Sequence, residues 1–145
     1  MILLLPEHRA ALRANTLARA EVCRLRKAEP SNETRGSFDP APVVKFFNPC
    51  GAATWLATEL DEDDDTLFGL ADLGFGCPEL GSFSLREIAS VRLPFGLTIE
   101  RDIGFDGMMP LSVWAEAARA TQSISSAEML IREIAANPRP ELPSD

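Results

Sequence analysis

Five carboxylates, Glu59, Asp72, Glu79, Glu100 and Asp102, are the residues of this chain best suited to chemistry. Converging at strand ends, they would offer hard oxygen ligands to Mg²⁺ or Ca²⁺. A pair of them, one buried and one wet, would separate a general acid from a general base. Each also has a plainer reading. Glu100 and Asp102 alternate with Ile99, Arg101 and Ile103, the pattern of a strand with one wet face. Glu59 borders Asp61-Glu62-Asp63-Asp64-Asp65, a run that must be a solvated turn because unpaired buried charges are costly. Asp72 follows Phe68 and Leu70 on one face and leads into Gly74 and Gly76, where a carboxylate can cap backbone N–H groups. Glu79 would do the same or pair with Arg101.

Other chemistries find less support. The one histidine, His8, stands near the N-terminus, which leaves no histidine-based zinc site or triad. Cys23, Cys50 and Cys77 are odd in number and contain no C-x-x-C pair, so neither a disulfide framework nor a structural zinc site is expected. Cys77, between Gly76 and Pro78, is either a reactive thiolate or an inert loop residue. Gly74-x-Gly76 lacks the third glycine of a dinucleotide fold and the Lys-Ser/Thr of a phosphate loop, and a strand rather than a helix follows it. With Pro78 these glycines suit a tight turn at positive φ. Trp55, Phe68, Phe75, Phe83 and Phe95 lack interleaved Lys and Arg and read as an aromatic core rather than a base-stacking platform.

Charge narrows the partners. Residues 1–35 hold seven Lys or Arg against four Asp or Glu, whereas the rest hold seven against eighteen, within a net charge of −8. The acidic body disfavours direct nucleic-acid binding. It suits either a basic protein surface or simple solubility. The apolar opening Met1-Ile2-Leu3-Leu4-Leu5 ends at Pro6 and Glu7, too short for a signal peptide, and no run is long enough to cross a bilayer. No membrane association and a cytoplasmic location are expected.

The elements that must position these groups are legible in outline. Pro6 opens a helix that continues to about Lys27, with a thin apolar stripe at Ala10, Ala14, Leu17 and Leu25 and scattered arginines. Such a helix packs lightly, or serves as a basic arm toward an anion, a partner or the acidic body of a second copy, so a homodimer is one expectation. Residues 29–42 read as a linker. Strands are predicted at Val43–Phe47, Ala53–Leu60, Leu67–Leu73, Leu80–Phe83 and Leu97–Ile103, the second and third joined as a hairpin across the acidic turn. Ser84 to Glu87 is a capping box opening a helix to about Val91. Pro110 begins a helix with Leu111, Trp114, Ala118 and Thr121 on one stripe, and Ser125 to Glu128 caps another bearing Ala127, Leu130 and Ile134. Residues 43–136 thus form a single α+β domain, a small, mostly antiparallel sheet with helices packed on one side, followed by a disordered tail at 137–145.

Val43-Val44-Lys45-Phe46-Phe47, Thr54-Trp55-Leu56 with Glu59-Leu60, the string from Phe68 to Gly81, Ser84-Leu85, and Gly96-Leu97 with Glu100-Arg101-Asp102 together resemble a bacterial domain-of-unknown-function family, DUF2958, over about residues 5 to 120. The resemblance implies an accessory protein of plasmids, phages or conjugative elements, with no established activity. The sequence assigns no catalytic residue, metal ligand or cofactor. The leading expectation is a non-enzymatic protein that binds a protein partner, such as a host-defence, replication or transfer component, through an acidic, glycine-rich face. That face comprises Asp61, Asp63, Asp64, Asp65, Asp72, Glu79, Glu100 and Asp102. The alternative is a small metal-dependent hydrolase using Asp72 and Glu79.

Overall fold

A computed structural model describes residues 1–25 and 38–137 of the chain. Residues 29–37 of the predicted 29–42 linker, the helix end predicted near Lys27 and residues 138–145 of the predicted 137–145 tail lie outside the described residues. Among the described residues the order is α1 (Pro6–Leu25), β1 (Val44–Phe47), β2 (Thr54–Leu60), β3 (Thr66–Asp72), β4 (Glu79–Ser84), α2 (Leu85–Ser90), a 3₁₀ turn (Pro94–Gly96), β5 (Glu100–Arg101), α3 (Leu111–Thr121) and α4 (Ile124–Ala136). The five strands pair antiparallel in the order β4-β3-β2-β1-β5, an α+β fold.

β2 and β3 are apolar on both faces, so both faces of the sheet are covered. On one, Leu56 and Leu70 pack against Leu111, Trp114 and Ala118 of α3 and Ile124, Ala127 and Ile131 of α4. On the other, Phe46, Ala57, Leu60 and Leu67 pack against Leu3, Leu4, Leu12, Leu85, Ile88 and Ile99. The second face is closed by the N-terminal segment and α2 rather than left to water.

One irregularity sets the faces. The β2–β3 register shifts between Ala57 and Glu59, so Thr58 is a bulge and every later residue of β2 changes sides. Leu60 therefore enters the core opposite Leu67, and Glu59 lies opposite Phe68 on the α3 face. The bulge brings the β2 backbone against Gly69, where a Cβ would stand 1.8 Å from the Leu56 carbonyl oxygen. Only glycine fits there.

α1 inverts the predicted stripe. Leu17 and Leu25 are exposed, as are Ala10 and Ala14, whereas Leu12, Thr16 and Arg19 face the body. The reason lies in β2, which runs past its pairing with β1 at Val44–Ala57 and leaves carbonyls without a strand partner. Asn15 Nδ2 donates to the Thr58 oxygen at 2.9 Å, and Thr16 Oγ1 and Arg13 Nη1 donate to the Leu60 oxygen at 2.6 and 3.0 Å. Polar side chains of a helix thus complete the edge of a sheet.

Four further predictions need correction. The last strand shrinks from Leu97–Ile103 to Glu100–Arg101, because β1 offers only Phe46 and Phe47 as partners and the Pro94–Gly96 turn takes up what precedes. α4 is capped by Ser123, whose hydroxyl accepts from the Ser126 N–H, so Glu128 is a buried ion-pair residue rather than part of a capping box. Glu79 does not pair with Arg101: they sit on opposite edge strands, four strand spacings or about 19 Å apart. Phe75 and Phe95 are not core residues, being 84% and 97% exposed at the tips of loops that leave the sheet.

Replacing Gly69 by alanine is expected to cost about 3 kcal/mol in urea denaturation, because backbone must move to admit the methyl group. Gly81→Ala on β4, where a Cβ meets nothing within 4 Å, is expected to change stability by less than about 0.5 kcal/mol.

Candidate functional site

A cleft of about 620 Å³ opens on the α3 face of the sheet, between α1, β2–β4 and the start of α3. Its walls are mainly Phe38, Phe68, Leu80 and Leu111, with Arg19 and Glu59 as the charged pair at one side. Arg19 Nε donates to both Glu59 oxygens, at 2.8 and 2.9 Å. The guanidinium stands 5.2 Å from the centre of the Phe38 ring and 6.0 Å from that of Phe68. Two aromatic faces and a carboxylate therefore hold one cation, an arrangement favourable when partly desolvated. At the far wall Asp39 accepts from the Ser112 N–H at 3.0 Å and from its hydroxyl, closing the first turn of α3.

A smaller pocket of about 140 Å³ adjoins the cleft and shares Glu59 and Phe68 with it. Asp61, Thr16, Thr66 and Ser82 complete most of its lining. Leu80 borders the large cleft and Ser82 the small pocket, so the two lie two residues apart along β4.

The sequence-predicted carboxylates are not brought together. Asp72 is buried, with Oδ1 accepting from the Gly74 N–H at 2.9 Å and Oδ2 from the Ile124 N–H at 3.0 Å. It caps the glycine loop, as its position suggested, and also ties that loop to the start of α4. Asp63 shapes the acidic turn, accepting from the Asp65 and Thr66 N–H groups and from the Thr66 hydroxyl at 2.6 Å. The Thr66 bonds, hydroxyl first, hold its carboxyl down at a pKa of about 2. Asp64, at φ 62°, pairs with Arg9 at 2.6 Å. Asp65 accepts from Ser84 Oγ and the Arg86 N–H, fastening the turn to α2. Asp61 and Glu62 are exposed. Glu79 begins β4 and is exposed, while Glu100 and Asp102 lie at the opposite edge, Asp102 3.5 Å from Lys45 Nζ.

Glu59 corrects its sequence reading most clearly. It is not a solvated neighbour of the turn but a buried carboxylate paired with Arg19, because the Thr58 bulge turns it inward. Arg19, Phe38 and Leu111 join the site although no local motif in the sequence marks them as site residues. The spacing of Leu12, Thr16 and Arg19 on one helix face carried the signal, obscured because two of the three are polar. Arg9, Arg13 and Arg19 meet the body of their own chain, a contact that the sequence also allowed to a neighbouring copy.

Residues 3–125 match the family model described as "Protein of unknown function (DUF2958)". The chain belongs to the DUF2958 family. Comparisons with curated proteins and with solved structures give no match. Among the described residues of this DUF2958 protein no group of three His, Cys, Asp or Glu could hold a metal ion, and no helix is long and apolar enough to cross a membrane.

Arg19→Met is expected to destabilise the protein by about 2–3 kcal/mol, because it strands a buried carboxylate; the value sits low because the Arg19 side chain is 29% exposed. Adding Glu59→Met should recover most of that loss in a denaturation cycle.

Proposed function

We propose that this protein is a non-enzymatic binding module that takes an extended segment of a protein partner along the outer edge of β4. The observation that carries this reading is a free strand edge beside an open apolar cleft. β4 is the terminal strand, and among the described residues nothing pairs with its outer side. Six residues long, it offers about 20 Å of unpaired backbone. An added strand gains main-chain hydrogen bonds for affinity and alternate side-chain pockets for selectivity.

Both ends of β4 fit the acidic, glycine-rich description. The Leu73–Pro78 loop enters it, presenting exposed Leu73 and Phe75, and Glu79 is its first residue. The acidic turn adjoins its other end, where Asp65 holds Ser84. This electrostatic setting favours a basic segment and a salt-sensitive association rate. Asp72 contributes from inside by fixing the loop, and Glu100 and Asp102 lie outside this interface. The role as an accessory protein of a mobile element follows the family resemblance, and the cytoplasmic setting follows the sequence, which offers no signal peptide or membrane span. The hydrolase alternative lacks a comparable observation, since both Asp72 oxygens are occupied by backbone N–H groups.

Successive strand residues direct their N–H groups to opposite neighbours, so one of Gly81→Pro and Ser82→Pro removes an outward donor without breaking the β3 ladder. That variant, recognised by a near-native Tm, is expected to lose a stoichiometric, nuclease-resistant partner captured from bacterial lysate by the unmodified protein. Capture that survives in both variants, or no stoichiometric partner at all, contradicts the proposal.

A further inference from the structure

Resting on that strand-addition reading, we infer that the site selects a short motif: a large apolar residue and a basic residue two positions apart in the partner's extended segment. The spacing comes from β4 itself. Leu80 and Ser82 point to the same face, about 6.6 Å apart, and each opens onto a different pocket. A strand added alongside continues the pleat, so its residues i and i+2 face the same two pockets.

The pockets differ in chemistry. The 620 Å³ cleft is walled by Phe38, Phe68, Leu80 and Leu111, and its polar groups are already partnered: Glu59 is paired with Arg19, and Asp39 keeps its charge but has both oxygens hydrogen-bonded by the Ser112 N–H and hydroxyl. It suits a Phe, Leu or Met side chain that needs no polar partner. The 140 Å³ pocket has the volume of about four or five water molecules, room for an ammonium or guanidinium head. Its lining includes no Lys or Arg. Arg19 neutralises Glu59 from the cleft side, which leaves Asp61 as the net negative charge, flanked by the hydroxyl oxygens of Thr16, Thr66 and Ser82. A cation is the group these acceptors complement. Leu80 is 43% exposed, so the entrance to the cleft from the β4 edge is lined by an accessible apolar side chain.

The test is an array of short synthetic peptides carrying one Phe or Leu and one Arg or Lys at spacings of one, two or three residues, probed with the full-length protein. Retention at the two-residue spacing is expected to exceed the other spacings by about tenfold. Asp61→Asn, an exposed substitution, should abolish the preference for the basic residue and leave Tm unchanged. Leu80→Ser should weaken the preference for the apolar one. Retention that is indifferent to spacing, a preference for an acidic residue, or no retained peptide would overturn the motif. The edge-proline experiment judges strand addition independently: partner capture lost with the proline but no such motif on the array overturns this inference alone.

Discussion

The backbone carbonyls of Thr58 and Leu60 must be hydrogen-bonded, and β1 ends before it can reach them. A buried unpaired carbonyl costs as much as a lost hydrogen bond, so some other part of the chain has to supply donors. Helix α1 does so with Arg13, Asn15 and Thr16. Much of the architecture follows from this demand. It selects the polar face of α1 to turn inward, places Leu12 in the core beside Leu60, and carries Arg19 far enough along the helix to meet Glu59.

The bulge at Thr58 is the complementary half of the arrangement. By reversing the sides of the last β2 residues it puts a charged residue into the α3 face, where it pairs with Arg19, itself flanked by the Phe38 and Phe68 rings. Gly69 is the local condition for that reversal, since any side chain would collide with the Leu56 carbonyl. The cleft and the pocket beside it therefore depend on one extra residue in β2 and one missing side chain in β3. Neither feature is chemical in the catalytic sense; both are packing events that shape a surface next to the terminal strand of the sheet.

This explains which parts were legible in the sequence. The hairpin across the acidic turn, the Ser84 cap and the stripe Leu111-Trp114-Ala118 obey simple local patterns, and the fold follows them. Asp72 was recognised as a loop cap because carboxylates before glycines bond their own backbone, but its second bond to Ile124 joins residues far apart in sequence. Glu59 was misjudged because strict alternation cannot anticipate a bulge. Glu128 was misjudged because a Ser-x-x-Glu pattern resembles a cap, while its true partner, Lys45, comes from β1. The acidic turn looked like free surface charge, yet Asp63, Asp64 and Asp65 have specific bonds within the fold. Asp63 bonds only its near neighbours Asp65 and Thr66; at the other misses a long-range partner outweighed the local pattern.

The proposed partner surface is the edge of β4, with which nothing among the described residues pairs, together with the cleft and the acidic pocket beside it. Amide hydrogen exchange of the protein, alone and with its captured partner, addresses that claim most directly. The account predicts slowed exchange at the outward-facing N–H groups of Glu79–Ser84, with little change across β5 at the far edge. Unchanged exchange along β4, with protection appearing around Glu100 and Asp102 instead, would contradict it.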